Sequence, residues 1–223
     1  MLPIKNQEFI KNEMKILLES INSKLSENVL SPHRNQLESA ISFFINAIHN
    51  QNKSGYLYNG DSFQPSPAEV EINNYSAELS KVLSNTDAAS TLDSLRHAFS
   101  SYARNGLHEL FTCQENEGWH PQVILDEELR PNDINILPNL ITLYRGTDIT
   151  EHNSSNYGQS WSTNKEIAYL FAFKHYLGQP WFNANQRVIL KTNISKEHAY
   201  FSNQSGEFEV VINARKISHV EIA

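Results

Sequence analysis

Three short polar stretches in the second half of the chain carry residue types that chemistry uses: Tyr144-Arg145-Gly146, Ser160-Trp161-Ser162-Thr163 and Gly206-Glu207-Phe208-Glu209. Arg145 closes the apolar run ITLY, and its planar, permanently charged fork suits a phosphate or carboxylate held at a strand end. A strand-end arginine in plain solvent is the alternative. In GEFEVVINA, strand alternation puts Glu207, Glu209 and Val211 on one face and Phe208, Val210 and Ile212 on the other. Two carboxylates so placed repel unless water, a cation or a hydrogen-bond donor answers them. The pair therefore fits a site that handles positive charge, or equally an edge strand guarded by acidic residues. The hydroxyls of GQSWSTNKEIAYLFAFKH stand where β-formers give way to Ile167, Ala168, Leu170, Phe171 and Ala172 at helical spacing.

Other chemistries have no counterpart. The chain contains no G-x-G-x-x-G after a strand, no G-x-x-x-x-G-K-[ST], no H-E-x-x-H and no G-x-S-x-G. His108, Cys113 and His120 lie near one another but match no common zinc framework, so no metal is expected. Cys113 is the only cysteine, which leaves no internal disulfide and fits a reducing compartment.

The elements that must position these residues fall into two halves. Apolar residues recur with helical period at Phe9, Ile10, Met14, Leu17, Leu18, Ile21 and Leu25, and again at Leu37, Ile41, Phe44, Ile45 and Ile48. Ser31-Pro32 separates the two amphipathic helices. After a loop over 53–67, Ser66-Pro67-Ala68-Glu69 reads as a capping box that starts a helix through about Leu83. Another helix follows Asp87 and carries Leu92, Leu95, Phe99, Tyr102 and Leu107. Beyond Glu117, Pro121, Pro131 and Pro138 cut the chain into short pieces. Strands are predicted at Leu140–Tyr144, Gln186–Asn193, Glu207–Asn213 and Ile217–Ile222, with one helix after the serines. The expected class is α+β: a helical region over 1–117, then a mostly antiparallel β core with a packed helix over 118–223.

The length of 223 residues, 39% of them hydrophobic, is enough for one large domain or two small ones. Eighteen basic residues against 25 acidic ones give a net charge of -7, which disfavours a polyanion as the main partner. No apolar run approaches the roughly 20 residues that span a bilayer, and the N-terminus lacks a signal-peptide core. A cytoplasmic protein, or one exported by a signal-less route, is expected, without a membrane partner.

Taken in order, Arg145, then Ser160-x-Ser162, then Glu207-x-Glu209 resembles the R-S-E signature of mono-ADP-ribosyltransferases of the cholera-toxin-like class. The likeness spans about Leu140 to Ala223 and leaves the helical half uncovered. It departs from the pattern at Trp161, where many relatives carry threonine. The resemblance implies an ADP-ribosyltransferase-like β core with NAD as substrate. Glu209 would be the catalytic carboxylate beside the ribose, and Glu207 the group that orients the nucleophile. Tyr144, Arg145, Ser160 and Ser162 would bind NAD, with Ser160 bracing Glu209. Thr163 would extend the polar edge or cap the following helix, and Trp161 would pack or flank the nicotinamide. A glutamate in the first position of the E-x-E pair goes in the family with arginine of a target protein as acceptor, nucleic acid being the alternative. The loop 200–206 would share in acceptor choice, Phe201 either stacking on the acceptor or anchoring the loop. Such an enzyme inside a cell suggests a bacterial or phage toxin or effector, held by a neutralising or regulatory protein partner. An NAD glycohydrolase and a non-catalytic binding relative are the competing readings.

Overall fold

A computed structural model describes residues 2–60, 64–114, 118–179 and 181–223. Contacts divide the chain into two units, Met1–Ile124 and Leu125–Ala223. The boundary falls later than the 117/118 division expected from composition. The reason is a long-range pairing: Ile16 bridges Val123, Leu17 N donates to Gln122 O (2.8 Å) and Ile124 N to Lys15 O (2.8 Å).

That pairing also breaks the first predicted helix. It becomes α1 (Ile4–Glu8), a π-helical turn (Phe9–Glu13) and α2 (Leu18–Leu25), with Lys15 at φ 53° between them. Phe9, Ile10, Met14, Ile21 and Leu25 of the expected apolar set are buried, but Leu17, where the helix breaks, is 40% exposed. α3 (Arg34–Lys53), α4 (Pro67–Ser80) and α5 (Thr86–Thr112) complete the unit. The box at Ser66 forms as expected: Glu69 N donates to Ser66 Oγ and Ser66 N to Glu69 Oε2, each at 3.2 Å. Asn105 and Gly106 interrupt α5, Gly106 at φ 63°, a region glycine enters without the Cβ penalty.

The second unit is built on strands β1 (Leu140–Asp148), β2 (Ser160–Ser162), β3 (Arg187–Ser195), β4 (Ala199–Asn203), β5 (Glu209–Ile212) and β6 (Glu221–Ile222). Among the described residues they form one antiparallel sheet in the order β4-β5-β2-β1-β3-β6. Helix α6 (Ile149–Ser154) follows β1 and helix α7 (Lys165–Phe173) follows β2. The class is thus α+β. Leu143, Trp161, Leu190 and Val210 bury one core cluster; Ala168 and Ala172 of α7 pack against Ile189 and Tyr144 to form another. Gly146 makes that approach possible, since a Cβ there would lie 2.0 Å from the carbonyl oxygen of Ala168.

Several boundaries differ from expectation. β1 runs on past Tyr144 to Asp148 because each residue finds a partner in β3, Arg145 opposite Leu190 and Asp148 opposite Arg187. The segment expected as a loop at 200–206 forms β4 in its first half, pairing with β5 from Asn203↔Glu209 to Ala199↔Ile212. The strand expected at 217–222 shrinks to Glu221–Ile222. No helix among the described residues is long and apolar enough to cross a membrane.

Candidate active site

Glu209, Ser160 with Ser162, and Tyr144 to Gly146 fall on three successive strands of the sheet, β5, β2 and β1. Ser162 stands opposite Glu209 across the β2–β5 pair, and Ser160 opposite Val211. With a side-chain period of two, Ser160, Ser162 and Glu209 share one face. Ser160 Oγ donates to Glu209 Oε1 at 2.5 Å, the contact anticipated from the resemblance. Ser162 Oγ donates instead to the backbone carbonyl of Glu207 (2.8 Å) and accepts from Asn164 N (3.0 Å), tying the helix start to the turn before β5.

Glu209 is half-buried, and burial pushes its carboxyl above the usual glutamate range. The Ser160 hydroxyl pulls the other way, while the charge of Glu207 adds to the rise.

Glu207 does not lie on the strand. β5 begins at Glu209, and Phe208 adopts φ 53°, which turns the chain and breaks the alternation predicted for GEFEV. That left-handed conformation costs a non-glycine residue roughly 1–2 kcal/mol. It leaves Glu207 exposed in the turn rather than on one strand face with Val211. Gln204 holds this turn from below. Its Nε2 donates to Ser202 Oγ (2.9 Å) and Glu209 O (3.1 Å), its Oε1 accepts from Thr163 Oγ1 (2.9 Å) and its backbone N donates to Asp133 Oδ2 (2.8 Å).

Arg145 sits within β1, not at its end. The β1–β2 ladder is the single pair Tyr144↔Ser162, one residue before it. Beyond it the guanidinium supplies a hydrogen bond to β2, Nη1 donating to Ser160 O at 2.6 Å. The side of the fork formed by Nε and Nη2 grips the carboxylate of Glu151 on α6 at 2.7 and 3.2 Å.

Other expected site residues have different surroundings. Tyr144 is half-buried and packs beneath α7. Trp161 is only 2% exposed, with its indole N–H donating to Gly158 O (2.9 Å), so it is a core residue and does not flank a ligand. Phe201 is buried at 3% exposure, which removes it as a surface for stacking on an acceptor. The cap of α7 is Asn164, whose side chain accepts from Glu166 N at 2.8 Å; Thr163 faces Gln204 instead.

No protein-family model, curated protein or solved structure matches the chain. The candidate site therefore rests on its own geometry.

Sequence reasoning missed α6 and with it Glu151. A signal was present, for Asp148-Ile149-Thr150-Glu151 has the spacing of a capping box. Asp148 does cap, accepting from Thr150 N at 2.9 Å. Gln204 carried no signal, because its four contacts come from three separate segments.

Proposed function

We propose that the protein is an NAD-dependent mono-ADP-ribosyltransferase, with Glu209 as its catalytic carboxylate and arginine of a target protein as acceptor. The observation that carries this reading is the hydrogen bond from Ser160, on the strand next to the one that bears Arg145, to Glu209 on the strand beyond. Residues far apart in sequence meet in the order that the R-S-E pattern requires.

NAD enters as substrate. The bond from its ribose carbon to nicotinamide breaks, the electron pair leaves with nicotinamide, and positive charge develops on the ribose. Glu209 accepts a hydrogen bond from a ribose hydroxyl and stabilises that charge. Its half-buried carboxylate is poorly solvated, so a cation forming beside it is favoured more than it would be in water. Ser160 holds the carboxylate's orientation. Arg145 takes the diphosphate with the N–H groups that Glu151 and Ser160 leave over. Glu207, exposed on the turn, is suited to orient an incoming guanidinium and accept the proton it loses on attack.

The test is incubation of the purified protein with adenine-labelled NAD and a cell lysate, with Glu209→Gln in parallel and the products split into protein and nucleic-acid fractions. Label in protein with the wild type alone supports the reading. Label in nucleic acid changes the acceptor, and nicotinamide release without label in either fraction makes the protein a hydrolase. Neither release nor transfer sinks the assignment.

A further inference from the structure

Glu151 lies outside the three polar stretches, yet its carboxylate accepts four hydrogen bonds. Its side chain is 15% exposed. Oε1 accepts from Arg145 Nε (2.7 Å) and Gly158 N (2.8 Å); Oε2 accepts from Arg145 Nη2 (3.2 Å) and, through a short contact, from the hydroxyl of buried Thr147. A carboxylate saturated in this way cannot rotate without giving up several charge-assisted bonds.

Gly158 completes the cradle from another segment. A Cβ at that position would lie 2.5 Å from Arg145 Nη2, so the guanidinium rests where only glycine leaves room. The plane of the fork is therefore set by three elements: β1, which supplies Arg145 and Thr147; α6, which supplies Glu151; and the segment before β2. With Nε, one N–H of Nη1 and one of Nη2 engaged, each terminal nitrogen keeps a second N–H, directed by that plane and unassigned among the described residues.

We propose that Glu151, assisted by Thr147 and Gly158, is a positioning residue that fixes Arg145 so that its remaining N–H groups form a seat for a phosphate group of the dinucleotide. This rests on the NAD reading for the identity of the ligand, while the anion seat itself stands on the cradle. Burial opposes the charge of Glu151, but the bonds from Arg145, Thr147 and Gly158 hold its carboxyl below the usual range, so it keeps its grip through neutral pH. Fixing a ligand-binding group through an outer partner is typically worth a factor of about 10–100 in affinity or activity.

The test is calorimetric titration of the full chain with inorganic pyrophosphate and with NAD, alongside initial rates of nicotinamide release. The proteins are wild type, Glu151→Gln, Arg145→Met and the double variant. The expected result is pyrophosphate binding by the wild type, weakened roughly tenfold in Glu151→Gln. KM for NAD should rise more than kcat falls, and the double variant should bind no more weakly than Arg145→Met alone. If Glu151→Gln does not fold, Thr147→Val, which removes one of the carboxylate's donors, should weaken binding by a smaller factor. Unchanged affinity, an equal loss with and without Arg145, or a wild type that binds no pyrophosphate overturns the inference. The two ideas fail separately. Binding that depends on Glu151 without nicotinamide release keeps the seat and removes the transferase, whereas release that is indifferent to Glu151 removes the seat and keeps the transferase.

Discussion

At Ser66–Glu69 in the helical unit, and again at Asp148–Glu151 in the β unit, an N-cap residue is followed three positions on by a glutamate that grips an arginine. In the helical unit the fork ends on carboxylates alone. Glu69, 6% exposed, closes the capping box with Ser66 and takes Nε and Nη2 of Arg104, whose Nη1 reaches Glu109 at 3.5 Å. In the β unit Glu151 grips the same side of its arginine, but Nη1 of Arg145 goes to a strand carbonyl beside the half-buried Glu209. The fork is one device in two settings. An arginine–carboxylate pair does not by itself mark a site; what the β unit adds is a second carboxylate beside the fork, its pKa raised by burial.

The sharpest way to break this comparison is to remove the carboxylate that only the β unit has. Glu209→Gln is expected to lower nicotinamide release by about 10²–10³-fold, with no fall in thermal midpoint at pH 7. A midpoint that drops together with activity would make Glu209 structural. Next, Glu69→Ala should open the capping box and leave Arg104 with Glu109 as its remaining partner, at a cost of about 3 kcal/mol in denaturant unfolding. Turnover per folded molecule should be unaltered, and a selective loss of turnover instead would erase the distinction between the two forks.

Two glycines sharpen the contrast within the β unit. Gly146→Ala drives a Cβ into the backbone of α7, and overpacking of this kind costs typically about 1–3 kcal/mol, to be read from chemical unfolding. Gly158→Ala meets the guanidinium of Arg145 and no backbone, so the fork shifts and loosens its grip on Glu151 while the strands stay in place. Stability should then change by less than about 1 kcal/mol, while KM for NAD rises. The reverse ranking would mean that the fork serves the fold.

The smallest effect is in pH. Glu151, depressed in the folded state, contributes stability above the ordinary glutamate value of about 4.3, and that contribution is lost as pH falls through its lowered value. Glu209 is raised, so it acts with the opposite sign. Folding is favoured while it is protonated, and stability declines as pH climbs from about 4.3 through its raised value. Thermal midpoints followed from pH 4 to 7 should show that decline in the wild type and not in Glu209→Gln.

How far the sequence carried can be judged from particular elements. The box at Ser66 and the breaker at Ser31-Pro32 were legible because their causes lie within four residues. So was the strand-to-helix junction at Ser162–Asn164, where the residue pattern changes period. The first helix breaks where its pattern predicts continuity because Lys15 O and Leu17 N pair with Ile124 and Gln122, far along the chain. β4 reads locally as part of a polar loop, yet the backbone of Ser202 and Asn203 pairs with Val210 and Glu209.

The candidate site divides in the same way. Residue identity and order alone nominated Arg145, Ser160 and Glu209, since the chemistry of a fork, a hydroxyl and a carboxylate is carried by residue type. Tertiary structure decided that Glu207 leaves the strand at Phe208, that Tyr144, Trp161 and Phe201 are packing residues, and that Glu151 orients Arg145. Those outcomes depend on register between strands and on hydrogen bonds among segments distant in sequence, and no local propensity encodes either.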